Sequence, residues 1–178
     1  MADPLPLPAS GGAIVVANHV SGLDPVLMIA ASPRPLRFLI AKEEYDRWWL
    51  SWLFRWLRLI PVERTRNPHR ALYAAREALA AGEVVALFPQ GSMHLDGEPV
   101  HFKRGAALLA AIAGAPIYPL RVEGIRGQGR TVSAVFMRSR SARLRVFAPV
   151  RCGLGETGRC TKTLERQLSS SAPVPDTT

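Results

Sequence analysis

At 178 residues the chain is one domain's worth of sequence, and 48% of it is hydrophobic, enough to bury a core and to exclude a disordered protein. With 23 Lys+Arg against 14 Asp+Glu the formal net charge is +9, and 20 of those cations are Arg, a balance that favours anionic partners: phosphates, anionic lipid or nucleic acid. No stretch reaches the roughly 18 uninterrupted apolar residues of a spanning helix. The first twelve residues hold three Pro and no Lys or Arg, unlike a secretory signal, so we expect a protein of the cytosol or of a membrane surface.

In chain order, residues 1–12 read as a flexible lead, 13–168 as the folded domain and 169–178 as a loose tail. Residues 13–17 (AIVVA) predict a buried strand. Asp24-Pro25 predicts a helix start, with Asp as cap and Pro at the first position. Residues 36–41 predict a second strand, and about 42–58 a long helix. Residues 59–62 are short and extended. An Ala-rich helix follows over about 68–81 and ends at Gly82. Residues 83–88 (EVVALF) form a strand broken by Pro89, and 102–113 a helix that stops at Gly114. Strands are predicted at 117–122, 131–136 and 142–147, and a last helix at 161–168. Strands alternating with helices at this spacing imply a single α/β domain with a mixed, mostly parallel sheet flanked by helices. The last strands follow one another without helices, so an antiparallel edge is expected. Cys152 and Cys160 are too few for a disulfide scaffold or a zinc site, and they read as ordinary thiols.

The sharpest local feature is Asn18-His19-Val20-Ser21-Gly22-Leu23-Asp24, between a buried strand and a helix, where ligands bind in α/β sheets. A His is the natural base near neutral pH. A carboxylate can hold one ring nitrogen and stabilise the imidazolium while the other nitrogen takes a proton. The short loop through Ser21 and Gly22 lets Asp24 fold back towards His19. Taken alone, the same residues also read as a plain helix cap beside an ordinary loop His.

Three more blocks follow in order: Leu59-Ile60-Pro61-Val62-Glu63-Arg64, Leu87-Phe88-Pro89-Gln90-Gly91-Ser92, and Ala115-Pro116-Ile117-Tyr118-Pro119-Leu120. Together with the His-x4-Asp block they resemble the glycerolipid (lysophosphatidate) acyltransferase family over about residues 13–148. That family carries a His-x4-Asp block, a Val-x-Arg block, a Phe-Pro-Glu-Gly-Thr-Arg-Ser block and an apolar block with Pro. The resemblance implies a glycerol-3-phosphate acyltransferase-like fold. It also implies transfer of a fatty acyl group from acyl-CoA or acyl-carrier protein to a hydroxyl of a lysophospholipid, 1-acylglycerol 3-phosphate in the first place, in bacterial phospholipid synthesis. By that analogy His19 is the general base, Asp24 its orienter and Arg64 a phosphate ligand, while Gln90, Gly91 and Ser92 lie on the turn that meets the acceptor. No cofactor, metal or covalent acyl-enzyme is implied. The third block departs from the pattern: Gln90 stands for Glu, Ser92 for Thr, Met93 for Arg and His94 for Ser. Losing a bidentate guanidinium weakens the case for a phosphate acceptor. It leaves an amino-lipid or glycolipid acceptor, or a non-catalytic lipid-binding relative, as alternatives. His94 and the Lys103-Arg104 pair are the candidate replacements, or else Lys103 and Arg104 only cap the start of a solvated helix face.

Trp48, Trp49, Trp52 and Trp56 are the four Trp of the chain and fall within nine residues. On one continuous helix Glu44, Arg47, Ser51, Arg55 and Arg58 would make a narrow polar stripe opposite a wide apolar face. Trp with flanking Arg suits a helix lying in a membrane interface, and burial of the four Trp in the core or a dimer contact is the alternative. Residues 121–151 carry eight Arg (121, 126, 130, 138, 140, 143, 145, 151) and a single acid, Glu123. Anionic lipid, coenzyme A phosphates and an acidic carrier protein are the partners such a stretch could attract. No aromatic is placed among these Arg for base stacking, so nucleic acid is not expected. The sum is a peripheral protein on the cytoplasmic face of the membrane.

Overall fold

Strand β1 (Ala13–Ala17) is buried along its whole length and sits near the middle of the sheet. Its neighbours are β4 (Val84–Leu87) and β5 (Ile117–Glu123), both parallel to it. Such runs of Val, Ile and Ala suit strands covered on both faces. β2 (Leu36–Ala41) pairs with β4, and β3 (Ile60–Val62) pairs with β2, again in parallel. β6 (Arg143–Val146) runs antiparallel to β5, giving the sheet order β3-β2-β4-β1-β5-β6 and the expected antiparallel edge. Pro61 can occupy β3 because that strand is at the sheet edge, where a missing N–H is tolerated. The chain is described here from a computed structural model over residues 5–46, 48, 51–63, 68–94, 101–125 and 142–169.

Alternate residues of β1 feed two cores, as the two-residue period of a strand requires. Ile14 and Val16 join a cluster with α4 (Pro68–Ala80), α5 (Gly105–Ala113) and α6 (Thr157–Leu168). Ala13, Val15 and Ala17 face a second cluster with Met28 of α1 (Asp24–Ala31), Leu36, Phe38 and Leu5. Truncating a fully buried side chain such as Ile14 to Ala would cost about 2–5 kcal/mol. Gly114, in the left-handed region at φ 62°, ends α5 and turns the chain into β5. The parallel order puts the C-terminal ends of β1 and β4 side by side, and the loops leaving them form one rim.

Several sequence expectations need correction. The long helix over 42–58 is two short ones, α2 (Lys42–Tyr45) and α3 (Ser51–Trp56), so the continuous polar stripe does not exist. Asp46 ends α2, bonding Lys42 Nζ at 2.5 Å. Arg58 lies beyond α3 at φ 53°. The lead is not free from Leu5 onward: Leu5 is 3% exposed and donates its N–H to the Ala31 carbonyl at 2.9 Å. Arg34 ties the segment down further, reaching the Pro8 and Gly11 carbonyls at 2.9 Å each. Cys152 and Cys160 are joined as a disulfide with Cα atoms 6.0 Å apart, not free thiols. The 3-10 turn Leu154–Glu156 folds the chain back so that the first turn of α6 meets Cys152. The strand expected at 131–136 and the tail from 170 fall outside the described residues.

Candidate active site

The rim at the ends of β1 and β4 is built from the His-x4-Asp block. β1 ends at Ala17, and Asn18 extends its pairing with β5 through its side chain. The Asn18 carboxamide donates to the Val122 carbonyl at 3.0 Å and accepts the Val122 N–H at 2.7 Å. The amide thus replaces a strand residue and lets the main chain leave the sheet at His19. The turn then doubles back, with the Asp24 N–H bonded to the Ser21 carbonyl at 3.1 Å. Asp24 is not a capping residue. It is the first residue of α1, after Leu23, and makes no side-chain cap bond.

Its carboxylate points into the loop instead. Asp24 Oδ2 accepts from the Val20 N–H at 2.7 Å and the Ser21 N–H at 2.8 Å, and it lies 2.9 Å from His19 Nδ1. Asp24 is 0% exposed. Two fixed main-chain N–H donors hold it there, at the N-terminal end of α1. Since the carboxylate only accepts, Nδ1 of His19 must carry the proton, and Nε2 is left with its lone pair. Nothing among the described residues bonds Nε2. The imidazole also stacks on Phe88, with ring centroids 4.1 Å apart and planes 16° from parallel. Phe88 rests in turn near Phe38 of β2, at 6.1 Å. The ring is therefore held at its edge by a carboxylate and on its face by an aromatic.

The turn after β4 lies against this unit. The Gln90 side chain takes the His19 N–H, and the His94 N–H donates to the His19 carbonyl at 2.9 Å. Ser92 Oγ is 3.0 Å from His94 Nε2 on the exposed side. Gly91 sits at φ 80°, which only glycine adopts without strain, and a Cβ there would stand 2.7 Å from Lys103 Nζ. The Lys103 ammonium therefore lies across the turn, and the Lys103 main-chain N–H donates to the Pro89 carbonyl at 2.9 Å. Arg104 caps α5 by backbone only and is exposed.

Of the residues singled out from the sequence, the structure brings together His19, Asp24, Gln90, Gly91, Ser92 and Lys103. Arg104 is next to them in the chain at the start of α5. Arg64 lies outside the described residues, as do Trp49 and Arg126, Arg130, Arg138 and Arg140. Trp48, Trp52 and Trp56 are 87%, 66% and 76% exposed, so they are not core residues. Arg121, one of the eight Arg of residues 121–151, is buried, and its Nε pairs with Glu123 at 3.1 Å. Sequence reasoning missed Asn18 and Phe88. The signal for both was position, since each is the residue at which a strand gives way to a site block.

A model of the family described as Acyltransferase matches residues 3–123. The 1-acyl-sn-glycerol-3-phosphate acyltransferase of Bacillus subtilis is 26% identical over 119 residues, covering 66% of this chain and 59% of that protein. A probable 1-acyl-sn-glycerol-3-phosphate acyltransferase of Mycoplasma pneumoniae is 32% identical over 124 residues, covering 64% and 45%. The chain thus spans about half the length of these curated relatives. The crystal structure of the 1-acyl-sn-glycerophosphate acyltransferase of Thermotoga maritima matches with a TM-score of 0.72 at 22% identity, over 96% of this chain and 71% of that one, a likeness of fold.

Proposed function

Because this chain belongs to the acyltransferase family, we propose that it transfers a fatty acyl group from an acyl thioester, on coenzyme A or an acyl-carrier protein, to a hydroxyl of a lysophospholipid. The observation that carries this reading is the His19–Asp24 pair at 2.9 Å, at the strand-end rim, with no bond to Nε2 among the described residues. In the reaction the acceptor hydroxyl gives its proton to His19 Nε2 while its oxygen attacks the thioester carbonyl carbon. The buried Asp24 carboxylate stabilises the imidazolium that forms. The C–S bond then breaks and the departing thiolate takes the proton back from Nε2, so the enzyme ends as it began. Help from a positioned base of this kind is on the order of 10²–10⁴ in rate.

The acceptor we favour is 1-acylglycerol 3-phosphate. Lys103 over Gly91, with Arg104 beside it at the positive end of α5, supports an anion there, because cations at a helix N-terminus are unfavourable unless something negative meets them. Arg64 is the further phosphate ligand that the family pattern suggests. A neutral or zwitterionic acceptor is the second reading, favoured by Met93 where the family pattern has Arg. Attachment is peripheral, through the exposed Trp48, Trp52 and Trp56 to the membrane interface and through the Arg excess to anionic lipid. The test is thiol release from acyl-CoA and from acyl-carrier protein, across lysolipid acceptors with and without phosphate. Absence of acceptor-dependent release with every pair would overturn the reading.

A further inference from the structure

The turn at residues 90–94, expected from the sequence to contact the acceptor, sends one side chain the other way. Gln90 Oε1 accepts the N–H of His19. From the same turn, the His94 N–H donates to the carbonyl of His19 at 2.9 Å. Both main-chain polar groups of His19 are thus held by one five-residue segment, which begins two residues after the Phe88 ring that the imidazole stacks on. His19 has left the β1 ladder, so its N–H needs a partner from elsewhere. A side-chain carbonyl is the means by which that partner is supplied.

We propose that Gln90 is a positioning residue for the base rather than a ligand of the acceptor, and that it fixes the His19 main chain without adding charge. This rests on the reading of His19 as general base. A Glu at position 90, as in the family pattern, could accept the same N–H but would set a second negative charge beside the ring. The groups that contact His19 are then the Asp24 carboxylate from α1, the Phe88 ring after β4 and the His94 main-chain N–H from the turn, and Lys103 Nζ lies over Gly91 of that turn. Among the described residues the carboxylate bonded to His19 is that of Asp24. A second carboxylate favours the protonated imidazole, which is the inactive form of a base. The neutral amide keeps the clamp and leaves the charge balance to Asp24.

Two variants separate this from acceptor binding. Gln90→Leu removes the hydrogen-bond acceptor at similar size, and Gln90→Glu keeps it. For Gln90→Leu we expect faster hydrogen exchange of the His19 amide by NMR and a kcat about tenfold to a hundredfold lower, the scale of a misplaced catalytic group. Its acceptor KM stays within about twofold, since ground-state binding is untouched. For Gln90→Glu we expect protected exchange, near-normal kcat at high pH, and an acid limb of the kcat profile moved to higher pH. The imidazole signals of His19 should titrate later in the same direction. A raised acceptor KM at unchanged kcat in Gln90→Leu would make Gln90 an acceptor ligand and overturn the proposal. So would unchanged amide exchange in Gln90→Leu, or an unmoved titration in Gln90→Glu. If Gln90→Leu does not fold, the direction of the Gln90→Glu titration decides. If the wild type transfers no acyl group, the function reading fails, while exchange and titration still judge the clamp.

Discussion

Replacing Asp24 by Asn isolates the charge at the base from its geometry. Asp24 Oδ2 takes two main-chain N–H groups at 2.7 and 2.8 Å as well as His19 Nδ1 at 2.9 Å. Those two donors cannot turn away, so the Asn carbonyl must occupy the Oδ2 place and the NH2 the Oδ1 place. Oδ1 is buried and has no hydrogen-bond partner among the described residues. The buried NH2 is therefore left unpaired, at a cost of about 1–3 kcal/mol. For a domain of this size that lowers the thermal midpoint by roughly 2–12 °C. The Nδ1–H bond survives, but its acceptor is neutral. In the transition state the lost attraction between imidazolium and carboxylate, with charges about 4 Å apart at an effective dielectric constant near 20, is about 4 kcal/mol. That corresponds to about three powers of ten in kcat. The higher dielectric value applies because the His19 side chain is 19% exposed. Initial rates of thiol release at saturating acceptor measure kcat, and circular dichroism measures the fold. A folded Asp24→Asn enzyme that keeps more than about a tenth of the wild-type kcat would refute the electrostatic role assigned to Asp24.

Other perturbations follow from the same geometry. His19→Ala should abolish acyl transfer with the fold intact, and turnover above about a tenth of wild type would remove His19 as the base. Changing Trp48, Trp52 and Trp56 together to Ala should weaken liposome binding in flotation by several kcal/mol, at roughly 1.5–3 kcal/mol for each large apolar side chain that leaves the interface. Unchanged flotation would mean that the exposed Trp side chains meet something other than lipid. Arg64→Ala and Lys103→Ala should each raise KM for a lysophosphatidate acceptor, by a factor set by about 1.5–3 kcal/mol for a charge-assisted hydrogen bond. An acceptor without phosphate should be used as before, and an equal loss on both acceptors would assign these residues to the fold or to the donor.

The fold was legible where local pattern and tertiary role agree. Residues 13–17 and 36–41 form strands with the predicted bounds because a short apolar run between turn signals has little else to do. The pairing of His19 with Asp24 was legible because a loop of four residues allows few ways to return. The break between α2 and α3 was not, because apolar periodicity continues straight past Asp46, where α2 ends. The docking of Leu5 depends on the Ala31 carbonyl and on Arg34, partners far away in the chain, and so leaves little trace in a window around residue 5. The disulfide depends on a 3-10 turn that spacing alone does not announce. The direction of Gln90 is of the same kind. A motif says which residue types share a turn, and only the path of the main chain decides which of them face the ligand and which face the base.

That division changes what the substitutions in the third block mean for the acceptor. With Gln90 turned to His19, the charge missing at 90 is a matter for the proposed base, and the charge missing for an anion is that at Met93. What lies over the turn is Lys103, whose ammonium would stand 2.7 Å from a Cβ at position 91. An ammonium is a point charge on a flexible stem, whereas a guanidinium holds two oxygens of one phosphate in a plane. On the proposed reading, Lys103 in this position attracts an anionic head group without fixing its orientation as an Arg at 93 would. Orientation must then come from elsewhere, and the neighbouring polar groups are Ser92 Oγ and His94 Nε2, 3.0 Å apart on the exposed side of the turn. On that reading the site tolerates more variety in the head group than a bidentate clamp does. The proposed base is held on more sides than the head group would be: by the Asp24 carboxylate, the Phe88 ring, the Gln90 side chain and the His94 N–H.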